Sequence, residues 1–538
     1  MTHNENAIHS TLPLALNPEE FRKQVVEAYN NGTQELATAT DQSVGRGLIP
    51  SGTAILRDFS YLAPEIPRLL ADRCVGCLDC ITQCPDTAIL AKVLPEDVLE
   101  EQLTQMEDFE VRERIKSRFI KTAKYYDVPV KKGSEGGLLG LFVDPTKCKG
   151  CAECVEVCSP HHALEMIVKE TNTVTEARAD FDAFSKMPST PPSFINQKAL
   201  VDMMLASESL LFTGGASSCM GCGEATALRM FIAATGFVHG PESFGIVAAT
   251  GCNTVYGSTY PYNPYTVPWT SSLFENAPAD AMGIRLRWDH QGFDERKLWV
   301  IGGDGAMYDI GFQSLSRMLA SGMDINVIVL DTQVYSNTGG QASTASFMGQ
   351  DSKLAVHGRS IRGKTEKRKE LGLLALMHPD VFVAQVITAN QNHFYRAVMA
   401  ANEFKGPSVV ICYTTCQPEH LVGDDRAAAQ ARLACNSRAF PIFIHDPRKG
   451  DTILERLDLT GNPAKEQDWF INPRTSEPLT FIDFARSEGR FAKHFDSDGN
   501  PTEVLLRSSQ DRLANWRQLQ ELAGIRKPGK PLVNRKTN

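Results

Sequence analysis

Two cysteine runs constrain this chain before anything else does. CVGCLDCITQCP carries Cys74, Cys77, Cys80 and Cys84 ahead of Pro85. CKGCAECVEVCSP carries Cys148, Cys151, Cys154 and Cys158, with Ser159 placed before Pro160. The spacing C-x2-C-x2-C-x3-C wraps a tight loop round one face of an iron–sulfur cube with three thiolates, and the fourth reaches a second cube. The duplication therefore predicts two [4Fe–4S] clusters. Cys74, Cys77, Cys80 and Cys158 would hold one, and Cys84, Cys148, Cys151 and Cys154 the other. Structural zinc usually takes two C-x-x-C pairs or cysteine–histidine pairs, so this doubled pattern disfavours it. His161 and His162, which follow at once, read as loop residues rather than ligands.

Fourteen cysteines would suggest disulfides in a secreted chain, but their clustering points to metal instead. The start, MTHNENAIHSTLPLALNPEE, has neither the basic nor the long apolar region of a secretion signal. No uninterrupted apolar run of about 18 residues suggests a transmembrane helix. The formal net charge of −9 argues against nucleic acid or an anionic membrane as main partner. These readings describe a cytoplasmic chain.

A length of 538 residues is too great for one core. Residues 1–60 read as an arm or linker with a short helix near Pro18–Asn30. Residues 61–170 read as a ferredoxin-like α+β domain, interrupted over about 90–140 by a charged, helical, solvated insertion. Residues 171–200 read as a linker. From 201 to 445 apolar strands alternate with helices: SFGIVAA, KLWVIGG, INVIVLD, VFVAQV and SVVICY. Such alternation implies a parallel sheet covered on both faces. Residues 446–538 read as a polar extension with a terminal helix at SSQDRLANWRQLQEL.

Within the α/β part, Asp304 ends the strand KLWVIGG between Gly303 and Gly305. The glycines allow close approach of backbone to a ligand, and the helix that follows offers free N–H groups to an anion. Thr332 follows the next strand, INVIVLD. A carboxylate and a hydroxyl at adjacent strand ends suit Mg²⁺, which prefers oxygen ligands and leaves positions to phosphates. A diphosphate can be tethered in this way without a Walker lysine. The whole pattern of strand, GDG, helix, strand and polar loop resembles the thiamine diphosphate motif.

Cys219 and Cys222 lie in SSCMGCGEAT, Cys252 follows the strand SFGIVAA, and Cys416 follows SVVICY. Carboxyl ends of parallel strands converge on a binding crevice. Two readings follow: four thiolates enclosing a third cluster, or Cys252 and Cys416 as buried core residues, which Cys412 and Cys435 fit better.

From about Leu62 to Asp446 the chain resembles the carboxyl-terminal half of the pyruvate:ferredoxin oxidoreductase family, the 2-oxoacid:ferredoxin oxidoreductases. The matching stretches are the doubled cluster motif, SSCMGCGEAT, ATGCNTVYGSTYPYNPYTVPWTSSLFENAPADAMG, IGGDGAMYDIGFQSLSRMLASG, DTQVYSNTGGQAS and YTTC. The resemblance implies that Cys219, Cys222, Cys252 and Cys416 hold a proximal [4Fe–4S] cluster. It implies Asp304, Thr332 and the carbonyl of Val334 as magnesium ligands, Asn337 beside the reactive ring and substrate, and Glu224 close to the cofactor. Asn253 and Thr254 depart from the family's small hydroxyl residues after the position of Cys252.

The implied activity is oxidative decarboxylation of a 2-oxoacid, pyruvate above others, to acyl-coenzyme A and CO₂. It depends on thiamine diphosphate, is reversible, and sends electrons through three clusters to ferredoxin or flavodoxin. Alternatives are the same chemistry on 2-oxoglutarate or oxalate, or an electron-transfer subunit with an inactive thiamine site. The family's pyrimidine-binding domain has no counterpart here. A separate, larger chain is therefore expected to supply it, in a hetero-oligomer with two copies of each chain. KTEKRKE, Lys364–Glu370, is a candidate basic patch for the acidic carrier, and its plainer reading is a solvated helix start.

Overall fold

A computed structural model describes residues 16–37, 45–170, 172–353 and 363–527. The doubled cysteine motif produces a doubled backbone. Gly76 and Gly150 occupy the same place in the two loops, with φ of 75° and 72°; Leu78 and Ala152 follow at 66° and 63°. A left-handed L-residue costs roughly 1–2 kcal/mol, so each loop is bent against local preference at the same step. Each bend opens into a short helix, Asp79–Thr82 in the first motif and Glu153–Val157 in the second.

Strands flank these loops. β1 (Glu65–Leu69) is paired by a later strand, β5, while β2 (Ile89–Pro95), β3 (Phe119–Lys121) and β4 (Gly137–Val143) form a sheet in the order β2-β4-β3. β5 (Leu164–Val168) runs antiparallel to β1. The insertion holds the expected helices, Glu96–Thr104 and Phe109–Arg118, but β3 sits inside it. It is also not merely solvated: Leu99, Leu103 and Ile115 are buried with Phe142 and Phe184. The expected linker contains the helix Thr173–Lys186, anchored by buried Asp180 to Arg114 and Arg118 of the insertion at 2.9 and 2.7 Å. An amphipathic stripe centred on Phe184 pulled this segment onto the domain.

The α/β part adds β6 (Phe244–Ala249), β7 (Trp269–Ser272), β8 (Lys297–Gly303), β9 (Asn326–Asp331), β10 (Phe382–Ile387), β11 (Ser408–Tyr413), β12 (Phe443–His445) and β13 (Leu457–Asp458). They form one eight-stranded sheet ordered β13-β12-β10-β11-β9-β8-β6-β7. The six strands from β10 to β7 are parallel, and β12 and β13 are antiparallel additions. β6, β9, β10 and β11 are buried at every position, as strands covered on both faces must be.

The two ends of the chain pack more than their polarity suggested. Phe21, Val25, Val26 and Ala54 of the expected arm form a small core with Tyr262. In the extension, Phe481, Phe484, Phe491, Leu505, Trp516 and Leu519 join the core that contains β8, β9 and β11 residues. The rings of Phe481, Phe484 and Phe491 meet Phe347 at centroid distances of 5.3, 5.8 and 6.4 Å. Burying each large apolar side chain is worth roughly 1.5–3 kcal/mol. Sparse aromatics among charged residues hid this face from a reading of composition. The terminal helix spans Glu503–Leu522. No helix among the described residues is long and apolar enough to cross a membrane.

Candidate functional site

Four neighbouring strands, β6, β8, β9 and β11, end on one side of the sheet and are followed by Cys252, Asp304, Thr332 and Cys416 respectively. β11 lies between β9 and β10 although it follows both in the chain, and this order brings Cys416 beside Thr332.

At the β8 and β9 ends the oxygens converge. Thr332 Oγ1 lies 3.0 Å from Asp304 Oδ1 and 2.9 Å from the Val334 carbonyl, and it accepts a hydrogen bond from Ser336 Oγ at 2.8 Å. A hydroxyl has one hydrogen, so Thr332 cannot satisfy both acceptors at once. The cluster thus has more lone pairs than hydrogens, which is the donor set of a hard divalent cation. Ser343 donates its hydroxyl to Asp304 Oδ2 and fixes the carboxylate's orientation. Asp304 is only 1% exposed. Burial, reinforced by the charge of Asp331, pushes its pKa up to about 7. Asp331 itself turns away, paired with Arg368 and accepting from the Tyr308 hydroxyl at 2.6 Å.

This loop is held from behind by residues the sequence reading did not single out. Gln333 sits at φ 57°. His420 Nε2 lies 2.7 Å from the Thr332 carbonyl, and Arg490 Nη2 donates to Gln333 Oε1 at 3.0 Å. Glu488 binds Arg490 and is buried with it. Glu488 and Arg490 belong to the extension, which carries no motif. Two cations of the basic stretch Lys364–Glu370 also face inward. Lys364 Nζ donates to the carbonyls of Ser343 and Ser346 at 3.0 and 2.9 Å, and Arg368 pairs with Asp331. Lys364 and Arg368 are buried, while Thr365, Glu366 and Lys367 stay exposed just before the helix Leu371–Leu376. Runs of charge reveal their exposure only once their partners are known.

A cavity of about 250 Å³ opens beside the oxygens, lined by Glu224, Gly303, Asp304, Gly305, Thr332, Val334 and Asn337 among others. Glu224 Oε2 is buried without a hydrogen-bond partner among the described residues. Burial, and then the charge of Asp304, raises its pKa to about 8. A second cavity of about 190 Å³ is lined by Cys219, Cys222, Cys252 and Cys416. The four thiols meet because the loops are stitched together: Gln417 donates its amide to the Gly221 carbonyl, and a side chain at Gly223 would come within 2.5 Å of the Thr415 nitrogen. Burial raises the Cys416 pKa to about 12 and also raises those of Cys222 and Cys252. Glu224, Cys252, Thr332, Ser336 and Asn337 line both cavities, so the two share a wall. Next to Cys252, Asn253 is buried with its Oδ1 unpartnered, while Thr254 Oγ1 caps the Gly251 N–H at 3.1 Å. Cys412 and Cys435 are buried away from both cavities.

The ferredoxin-like part places its thiols in two sets. Cys74, Cys77, Cys80 and Cys158 line one hollow. Cys84 lies close enough to Cys148, Cys151 and Cys154 that its charge, after burial, raises their pKa values, that of Cys148 to about 12. Among the described residues no three or more His, Cys, Asp or Glu side chains close on a single ion. Lys149, within the second motif, donates to Asp86 at 2.6 Å and to the Ser218 carbonyl at 2.7 Å. It therefore ties the Cys148 loop to the loop of Cys219.

Known proteins are similar in the same regions. Residues 249–412 match the C-terminal TPP-binding domain of thiamine pyrophosphate enzymes. The chain is 29% identical over 478 residues to a probable pyruvate-flavodoxin oxidoreductase of Escherichia coli (strain K12), covering 75% of this chain and 38% of that protein. It is 27% identical over 564 residues to the pyruvate:ferredoxin oxidoreductase of Moorella thermoacetica, covering 89% of this chain and 44% of that one. It thus spans about two fifths of the length of these relatives. A 2-oxoglutarate:ferredoxin oxidoreductase from Magnetococcus marinus, solved with 2-oxoglutarate, coenzyme A and succinyl-CoA bound, superposes with a TM-score of 0.33 at 20% identity, over 38% of this chain and 65% of that one. The chain thus carries the TPP-binding domain of thiamine pyrophosphate enzymes and is similar, over most of its length, to part of the pyruvate:ferredoxin and pyruvate-flavodoxin oxidoreductases.

Proposed function

We propose that this chain is the thiamine diphosphate- and cluster-bearing subunit of a 2-oxoacid:ferredoxin oxidoreductase, with pyruvate as substrate. The observation that carries the reading is the shared wall between the oxygen-lined and thiol-lined cavities. When bound, thiamine diphosphate supplies the electron sink for decarboxylation of a 2-oxoacid, and [4Fe–4S] clusters carry the released electrons singly.

The chain's own residues then have separate tasks. Asp304, Thr332 and the Val334 carbonyl would hold Mg²⁺, which would tether a diphosphate, and Ser343 fixes the orientation of the Asp304 carboxylate. Asn337 lines both cavities. Glu224, with a free buried oxygen and a pKa near 8, can hold a proton there at neutral pH. Cys219, Cys222, Cys252 and Cys416 would hold the cluster nearest the cofactor. Cys84, Cys148, Cys151 and Cys154 would hold the next, and Cys74, Cys77, Cys80 and Cys158 the one beyond. The order follows from Lys149, which joins the Cys148 loop to Ser218.

A separate chain supplies the pyrimidine half of the cofactor site, and coenzyme A takes the acyl group. Ferredoxin or flavodoxin receives the electrons; relatives carry both carriers in their names. Anaerobic purification with the companion chain, followed by thiamine and iron analysis and a screen of 2-oxoacids for coenzyme A-dependent viologen reduction, tests the reading. Pyruvate-dependent reduction is expected. Iron without thiamine would leave an electron-transfer subunit, and turnover by this chain alone would remove the need for a partner.

A further inference from the structure

The helix Gly223–His239 begins immediately after Cys222 and runs against the first cysteine motif. Residues 222, 226 and 229 share one face of it, being four and seven apart. Thr226 Oγ1 lies 3.3 Å from the Gln83 carbonyl. Arg229 Nη1 donates to the carbonyls of Ile81 and of Cys84, the latter at 3.1 Å, and lies 3.5 Å from that of Thr82. The guanidinium is thus seated on the segment 80–84, whose two end cysteines lie in different thiol sets.

Arg229 is only 2% exposed. The groups whose negative charge would bear on it most are Cys84, Asp86 and Cys80. Asp86 is already paired with Lys149 at 2.6 Å, and no carboxylate of the described residues bonds the guanidinium. Its Nη2 is buried and has no hydrogen-bond partner among the described residues. An arginine keeps its charge even when burial opposes it. A buried cation with an idle donor, next to one thiol from each of two sets, needs an anion. The anion available by chemistry is the thiolate and sulfide of the clusters themselves.

We propose that Arg229 is a positioning residue that sets the reduction potentials of the two ferredoxin-motif clusters. Cluster potentials respond to net charge, to hydrogen bonds on sulfur and to solvent exposure. A fixed positive charge in a dry interior favours the state that carries one more electron. It therefore eases acceptance of an electron released at the thiamine site. The inference rests on the cluster assignments proposed above.

The test is a redox titration, followed by electron paramagnetic resonance, of the anaerobically purified complex carrying Arg229, Arg229→Lys or Arg229→Gln. The glutamine variant is expected to keep its iron while the reduction equilibrium of at least one ferredoxin-motif cluster falls about tenfold, which is about 59 mV for one electron. The lysine variant should recover most of that loss, and the cluster of Cys219, Cys222, Cys252 and Cys416 should move less. Unchanged potentials in an iron-replete glutamine variant would make Arg229 a tether only and overturn the proposal. Should the variant fail to assemble, wild-type protein labelled with guanidino-¹⁵N arginine decides by pulsed resonance. A nitrogen coupling to a reduced ferredoxin-motif cluster supports the proposal, and its absence overturns it. Wild-type protein without [4Fe–4S] signals would instead bring down the cluster assignments, a failure visible before any variant is made.

Discussion

The ferredoxin-like part and the α/β part build their binding hollows in opposite ways. In the first, each thiol set is a local loop plus one thiol from its duplicate. Gly76 with Leu78 and Gly150 with Ala152 repeat the same bend within a few degrees. In the second, no two of Cys252, Asp304, Thr332 and Cys416 are close in sequence, and only the order β6-β8-β9-β11 lines them up. Local sites tolerate changes elsewhere in the chain. Sites assembled from strand ends depend on everything that sets the sheet.

The largest effect should come from the strand-end site. Asp304→Asn removes the one anionic ligand of the oxygen set. Turnover is expected to fall to background and thiamine diphosphate to be lost on desalting, while iron stays at the wild-type level. If thiamine were retained at full occupancy, the assignment of Asp304 would fail. Cys80→Ser makes the reciprocal test on the local site. It should cost about four iron atoms per chain and leave thiamine binding intact, as thiamine content and iron assay would show. Loss of both cofactors in either variant would mean that the two regions do not assemble independently, and the contrast would break.

A smaller effect sharpens the dependence of the strand-end site on remote packing. Arg490→Met leaves every proposed ligand in place but removes the cation that Gln333 Oε1 and Glu488 Oε2 contact. Residues that orient ligands typically change affinity by about 10- to 100-fold when removed. Thiamine diphosphate affinity, measured by calorimetry at fixed Mg²⁺, should weaken within that range, and Arg490→Lys should restore part of it. No change would place the extension outside the site's support.

The smallest effect concerns packing alone. His393 is 2% exposed, neither ring nitrogen has a hydrogen-bond partner among the described residues, and burial lowers its pKa from 6.5 to about 4. A depressed folded-state value means the stabilisation is complete above pH 6.5 and is lost as pH falls toward 4. The full loss is roughly 3 kcal/mol at 1.36 kcal/mol per unit. Thermal melts between pH 7 and 5 should show a falling midpoint that His393→Phe flattens. An equal slope in the variant would assign the acid sensitivity to other groups.

Much of this was legible in the residues. The five apolar runs expected as strands all lie in the sheet, and the GDG turn sits at the β8 end. Less legible were the segments whose apolar residues are spaced widely among charges. The helix Thr173–Lys186 and the aromatic face of residues 481–491 looked polar because partners elsewhere complete their cores. Lys364 and Arg368 looked like a surface patch because the carbonyls and carboxylate that receive them lie 18 to 37 positions away.

The amino-acid order by itself marked out the two cysteine loops, because their spacing and glycines repeat within a short stretch of chain. It also determined which strand ends carry oxygen and sulfur. Only the tertiary structure decided that these ends become neighbours, that Glu224 and Asn337 look into both hollows, and that Arg229, Glu488 and Arg490 stand behind them. Side-chain periodicity reports which face of an element is buried, whereas the order of strands in a sheet is settled by contacts between segments tens of residues apart.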